Sequence, residues 1–410
     1  MLKVMETKSF TAPAAVPPEL EQADGILTIR RKAGCDPVHA AHTFTYELKP
    51  STEALAVCVE ASVGDLTAEK AGVIFSFLDR SGKPTERGYL SRKADTFQGE
   101  LRRPSDSAFL RLELFSRWTC ETVRFQTPTV RETAAEPERK ARIIAAKLNP
   151  SGGNNSLLLS ELEDQLLRAG EKPDMILLPE HHNTRALPPA ENPGEPIDGP
   201  YARSLAEMAL KFHSYVCTTF SLRDERNLLR NAAVIFDRQG KLAGTYYKVH
   251  LTMSEAEKGV VPGESFKVFD LDFGRVGILT CWDNWFSESS RIVAGMGAEL
   301  ILFPLAGDGD ERHWRNTWPA RALDSGVTLA VSIAQGEAKE PVPAAVILPD
   351  GSWAATSAEN PGYAAATVVL NRKYQTFWLS VGPCRGEGRN LYFAERRPSV
   401  YMKNLEGREE

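Results

Sequence analysis

The sequence has no excess of positive charge. Its 410 residues carry 49 Lys and Arg against 54 Asp and Glu, a formal net charge of −5. A general nucleic-acid binder carries a basic excess or a basic stripe. Neither is present, so no nucleic-acid partner is expected. No apolar run approaches the ~18–20 residues of a membrane-crossing helix, so no membrane partner is expected. The N-terminus has no apolar core of signal-peptide length, and the stretch TAPAAVPP within residues 1–20 reads as a flexible lead-in. Cysteine is scarce: six residues, at 35, 58, 120, 217, 281 and 384, with no Cys-x-x-Cys spacing. That excludes a zinc ribbon or redox motif and fits reduced thiols in the cytoplasm. There is no Gly-x-Ser-x-Gly, no P-loop and no dinucleotide fingerprint, so no cofactor is expected.

What is present is ordinary globular usage, 42% apolar and 25% charged. A chain this long exceeds one typical domain of roughly 100–200 residues, and two are expected. Residues 21–134 hold short alternating runs such as ALAVCVE (54–60), GVIFSFL (72–78), AFLRLELF (108–115) and TVRFQT (122–127). Period-2 runs with turn-rich punctuation predict an antiparallel β-sandwich. The polar stretch Glu132–Lys140 reads as a linker. From there strands alternate with helices: RIIAAKL, a helix over 155–169 with Leu158, Leu162, Leu166 and Leu167 on one face, then DMILLP, a helix over 202–212, and ELILFP. This pattern predicts an α/β layered domain over 138–400 with a mixed sheet.

Three reactive groups end apolar strands, where ligand crevices form in α/β sheets. Glu180 ends MILLPE, Lys248 ends GTYYK, and Cys281 follows GILT. Asp283 reads as the N-cap of a helix carrying Trp285, Ile292, Val293 and Met296. A thiol before that helix, near an ammonium, is expected to favour thiolate. Glu180 is placed to take up and return a proton.

These strings resemble the nitrilase superfamily of carbon–nitrogen hydrolases. The resemblance covers about residues 140–400, through RIIAAKLNP, MILLPE, YYKVHL, VPGESFKVFDLDFGRVGILTCWDNWF, GAELILFP and RRPSVY. It implies an α-β-β-α four-layer sandwich, association into a homodimer or larger homo-oligomer, and a Glu-Lys-Cys triad. Cys281 would be the nucleophile, Glu180 general base then acid, and Lys248 with the Trp282 N–H the oxyanion donors. A second glutamate is implied between the lysine and the Pro-Gly turn, Glu255 or Glu257, with Glu255 fitting the spacing better. The substrate is a small-molecule amide or N-carbamoyl compound, split through a thioester. The alternatives are a nitrile, handled by the same triad, or a carbohydrate-binding protein on an inactive scaffold.

Trp282, Asn284, Trp285, His181 and His182 are candidate substrate contacts. His313, Trp314 and Arg315 lie in a segment that faces the pocket in relatives. Relatives acting on N-carbamoyl amino acids place an arginine near the position of Trp285, so the tryptophan argues against an amino-acid carboxylate. No metal is expected, because no third ligand is spaced to join the histidines, and Asp308 and Asp310 miss the calcium-loop pattern. The first domain resembles galactose-binding-like jelly rolls in strand pattern. Tyr89 and Trp118 are its aromatic candidates, and His39 and His42 read as surface groups.

Overall fold

The computed structural model describes residues 2–150, 155–184, 194–308, 311–335, 342–377 and 384–406. The chain divides into two compact units, Met1–Pro137 with Lys373–Glu410, and Glu138–Arg372.

The first unit is a β-sandwich. One sheet runs Val4–Thr11, Ala40–Glu47, Phe109–Ser116, Ala71–Leu78, Pro84–Tyr89, Arg385–Glu387, Gln375–Phe377. The other runs Glu19–Ala23, Ile26–Arg30, Val123–Gln126, Ala54–Ser62, Thr96–Arg102, Ser91–Lys93, with Thr129–Thr133 added against Ala54–Ser62. Alternation does the sorting: Leu110, Leu112 and Leu114 enter the core while Arg111 and Glu113 face the other way. Phe44, Tyr46, Phe75, Phe77, Phe97 and Phe125 fill the space between the sheets.

Several expectations change here. The lead-in is not loose chain, since residues 4–11 pair antiparallel with 40–46 as an edge strand. The expected boundary assigned everything to residue 400 to the second domain, but the chain returns to the first unit after Arg372. Helix Gly388–Glu395 lays Leu391 and Ala394, with Cys384, against Ala41, Ile74, Tyr89 and Phe115. Tyr89 is buried and donates to Glu395 at 2.7 Å, so it is a packing group. Trp118 is exposed beneath the Arg117 guanidinium. His42 is buried against the Ser9 hydroxyl, not at the surface.

Among the described residues the second unit has twelve strands. One set runs Leu242–Tyr247, Leu229–Phe236, Tyr215–Arg223, Met175–Glu180, Lys140–Lys147 and Gly362–Val369. The other runs Val268–Asp270, Arg275–Ile278, Leu300–Leu305, Thr328–Ile333, Ala344–Ile347 and Trp353–Ser357. A single pair, Lys147 with Ile333, joins them. Each set has a parallel centre and antiparallel flanks. Helices Asn155–Arg168 and Pro200–Phe212 cover the first set, and Ser287–Gly295 and Glu311–Ser325 the second, giving α-β-β-α. Strands buried on both faces read as continuous apolar runs, which is why MILLPE and LILFPL are fully buried. Leu158, Leu162 and Leu166 are buried as expected, but Leu167 is exposed, one step past the apolar stripe.

Candidate active site

Separate chain segments deliver charged groups to one place. Strand Met175–Glu180 ends at Glu180, and the residue after it, His181, has φ +54°. Strand Leu242–Tyr247 delivers Lys248, and strand Arg275–Ile278 leads to Cys281 at φ +46°. Left-handed backbone at non-glycine residues costs about 1–3 kcal/mol each and persists where the surroundings over-determine it. Both instances adjoin the cluster.

The Lys248 ammonium lies 3.1 Å from Glu180 Oε1 and 2.9 Å from Glu255 Oε2. Asn231 Nδ2 donates to both carboxylates, at 2.8 Å to Glu180 and 2.6 Å to Glu255. The Ala306 N–H, just after strand Leu300–Leu305, donates to Glu180 Oε2 at 3.0 Å. Glu255 is held by its own helix start. It sits three residues into the turn capped by Thr252, whose N–H and hydroxyl donate to Oε2 at 2.8 and 2.9 Å. That is a capping box, and it brings Glu255 to the cluster while Glu257 stays exposed. Ligand atoms of Glu180, His181 and Glu255 also fall within 4.8 Å of one another. Lys248 already supplies a cation between the two carboxylates.

The charges are fixed by their neighbours. Burial raises the Glu180 carboxyl, but the Lys248 ammonium and the hydrogen bonds outweigh it and hold it at about 2. Burial lowers Lys248, yet Glu180, Cys281 and Glu255 more than reverse this, so it stays an ammonium. Burial and then the Glu180 charge push the Cys281 thiol up, and Lys248 and the Ala306 N–H do not offset them. These neighbours favour the neutral thiol over the thiolate, beside a carboxylate and an ammonium.

This corrects the thiolate expectation, and the reason is local geometry. Cys281 opens a 3₁₀ turn, Cys281–Trp285, and the α-helix begins only at Ser287. Asp283 does not cap that helix. It is fully buried, and Oδ2 accepts the Thr280 N–H at 3.0 Å and the Tyr246 hydroxyl at 2.7 Å. Of the four expected apolar positions only Val293 is buried, whereas Trp285, Ile292 and Met296 are exposed.

The other candidates separate. Trp285 stacks face to face on His313 at 3.6 Å and lies 5.1 Å from Trp282. His313 Nδ1 bonds Asp308. Asn284 is fully buried with neither side-chain atom paired. His181 Nδ1 is likewise buried and unpaired, while the His182 ring packs on Tyr201 in the helix layer. Trp314 belongs to an aromatic core with Trp318 and Trp353, and Arg315 bonds Glu311. Asp310 lies outside the described residues. Sequence reasoning missed Asn231, whose signal was one amide heading an apolar strand, and the Tyr246–Asp283 pair.

Comparison with known proteins places the chain in a family. The chain is 27% identical over 205 residues to "Probable nitrilase" of Schizosaccharomyces pombe, covering 47% of this chain and 74% of that protein. It is 29% identical to the citrullinase of Francisella tularensis, covering 42% and 63%. It is 30% identical to the omega-amidase of Homo sapiens, covering 34% and 54%. The last two are thus matched over less than two thirds of their length. An amidase from Nesterenkonia sp. superposes with a TM-score of 0.53 at 22% identity, covering 66% of this chain and 98% of that one. The carbon–nitrogen hydrolase family model matches residues 154–376, more than half of the sequence, and the chain belongs to that family.

Proposed function

We propose that the protein is a cysteine-dependent amidohydrolase that splits an amide or N-carbamoyl bond through a thioester. The supporting observation is the convergence of Glu180, Lys248 and Cys281 from three strand ends with their charges fixed. The thiol keeps its proton at rest, so attack and proton transfer belong together. Cys281 Sγ bonds to the carbonyl carbon as Glu180 takes the thiol proton. The carbonyl electrons move to oxygen, where the Lys248 ammonium and the Trp282 N–H receive them. The C–N bond then breaks and the nitrogen leaves with the proton held by Glu180. Water, deprotonated by Glu180, attacks the thioester, and collapse returns the electron pair to sulfur and the proton to Cys281.

Glu255 contributes a second carboxylate that orients the substrate and balances Lys248. Trp282, Trp285, Asn284 and His181 form the surroundings of the scissile group. Ile292 on helix Ser287–Gly295 and Met296 at its C-cap, one turn apart, are exposed, as is Leu323 on Glu311–Ser325. This apolar face suits a homodimer. The fit of the chemistry to a reducing compartment makes the cytoplasm its proposed location.

The test is ammonia or amine release from a panel of amides, N-carbamoyl amines and nitriles, with iodoacetamide labelling alongside. Turnover of amides or ureido compounds, lost when one equivalent labels Cys281, is expected. Turnover of nitriles alone, or full activity after Cys281 is labelled, contradicts the reading.

A further inference from the structure

The mechanism needs Sγ of Cys281 and Nζ of Lys248 to meet one substrate carbonyl, yet the two residues lie on separate segments. One buried carboxylate ties those segments together. Asp283 stands two residues after the nucleophile and has no solvent exposure. Its Oδ2 accepts the N–H of Thr280, the residue before Cys281, and so holds the elbow from inside. The same oxygen accepts the Tyr246 hydroxyl, two residues before Lys248. Its Oδ1 accepts the N–H of His250, two residues after Lys248, at 2.9 Å, and the His250 ring nitrogen Nδ1 at 3.0 Å.

We propose that Asp283 is a positioning residue that sets the nucleophile elbow against the lysine, a role that rests on the amidohydrolase reading above. The carboxylate presents two acceptor oxygens to four donors, two on each oxygen. A carboxylate only accepts, so Nδ1 of His250 carries the proton in this contact. Burial and then the Asp283 charge push the Tyr246 phenol up, so it remains a donor. The Val249 N–H bonds the same phenol oxygen at 3.4 Å, which adds another link around Lys248. Phe286, after the elbow, stacks on the His250 ring at 3.9 Å. The left-handed conformation of Cys281 is thus bounded on both sides by contacts that lead to Asp283 or its partners.

An asparagine here is not a conservative change. Its one oxygen can serve either the Thr280–Tyr246 pair or the His250 pair, and its NH₂ then faces donors on the other side. The first outcome loses both bonds to His250, and the second loses the Tyr246 bond together with the Thr280 tie inside the elbow, so either loosens the elbow against the lysine segment. A displacement of about 1 Å in a reacting group can cost ~100-fold in rate.

The experiment measures kcat and KM for the best amide or ureido substrate, per equivalent of iodoacetamide-reactive Cys281. It compares wild type, Asp283→Asn and Tyr246→Phe in the full chain, with Cys281→Ala, its rate taken per mole of protein, as the control. Asp283→Asn is expected to lower kcat by about 100-fold with KM changed less than about threefold. Tyr246→Phe removes one donor of four and is expected to lower kcat by several-fold with its melting temperature nearly unchanged. A merely structural role would reduce the titrated fraction and leave kcat per thiol intact. If Asp283→Asn does not fold, Tyr246→Phe decides by the same split. Hydrolysis that survives Cys281→Ala overturns the amidohydrolase reading and this inference with it. Hydrolysis lost in Cys281→Ala but within twofold of wild type in the Asp283 and Tyr246 variants overturns the positioning role alone.

Discussion

The two units treat their buried polar groups differently. In the β-sandwich, buried Arg31 spends its guanidinium on the carbonyls of Asp36, Val38 and Ser116, and His42 is paired with Ser9, while the Tyr46 hydroxyl is buried without a partner. Among the described residues of the α/β unit such atoms are more numerous, and several lie in the segments that build the candidate site: His181 Nδ1, Asn231 Oδ1, both amide atoms of Asn284, and His313 Nε2, with others elsewhere, such as Ser289 Oγ and Trp318 Nε1. Each such group costs about 1–3 kcal/mol. A fold tolerates that cost where the groups serve a ligand, and the cluster of such groups beside Glu180, Lys248 and Cys281 fits a ligand site in the α/β unit.

Cys281→Ala removes a small side chain and the proposed nucleophile. Hydrolysis is expected to fall by at least about 100-fold while the circular dichroism spectrum and melting stay near wild type. Cys217→Ala is the control. It is fully buried, and burial pushes its thiol up, so it contributes packing and no chemistry. Iodoacetamide is expected to label Cys281 and spare Cys217.

Leu391→Ala addresses the other side of the contrast. Leu391 joins the small cluster through which the returning C-terminal segment packs in the first unit. Its truncation is expected to cost about 2–3 kcal/mol, measured by calorimetry, with the hydrolysis rate per reactive Cys281 unchanged. Residues 1–137 alone are expected to melt below the full chain, since they lack strands Gln375–Phe377 and Arg385–Glu387. A loss of activity without a loss of stability would break the proposed division of labour.

A smaller effect is expected from His182. Burial lowers its pKa from 6.5 to about 4. The folded state then holds the neutral ring while the unfolded state takes up a proton first. Stability is fully present above pH 6.5 and is lost as pH falls toward 4. Between pH 7 and 5 this group accounts for about 2 kcal/mol. His182→Phe cannot titrate, so its stability is expected to decline less over that interval in chemical denaturation at the two pH values.

The sequence made these contrasts only partly legible. MILLPE and GILTC announce their strands because buried parallel strands are continuous apolar runs, whereas GTYYK lies on a half-exposed antiparallel edge strand legible from its β-favouring Thr and Tyr residues. The residue ending or following each is the reactive one. The sandwich was readable from alternation, as in AFLRLELF. The C-terminal return was not, because its two strands are three residues each and carry no periodicity. The 3₁₀ turn after Cys281 was read as the start of a helix, since Asp283 suits an N-cap equally well. Only tertiary structure shows its carboxylate turned toward Tyr246 and His250. Asn231 was missed for the same reason, because a single amide beside apolar residues has no period to betray it.

The central claim is that Glu180, Lys248 and Cys281 make and break a thioester, each in its own role. Intact-mass spectrometry of Glu180→Gln and Lys248→Met after exposure to an activated ester tests it most directly, with peptide mapping to locate any adduct. Glu180→Gln lacks the base for the water step and should accumulate an acyl group on Cys281. Lys248→Met loses its strongest oxyanion donor and should acylate little. An adduct on another cysteine, or a stable adduct in the lysine variant and none in the glutamate variant, would contradict the account.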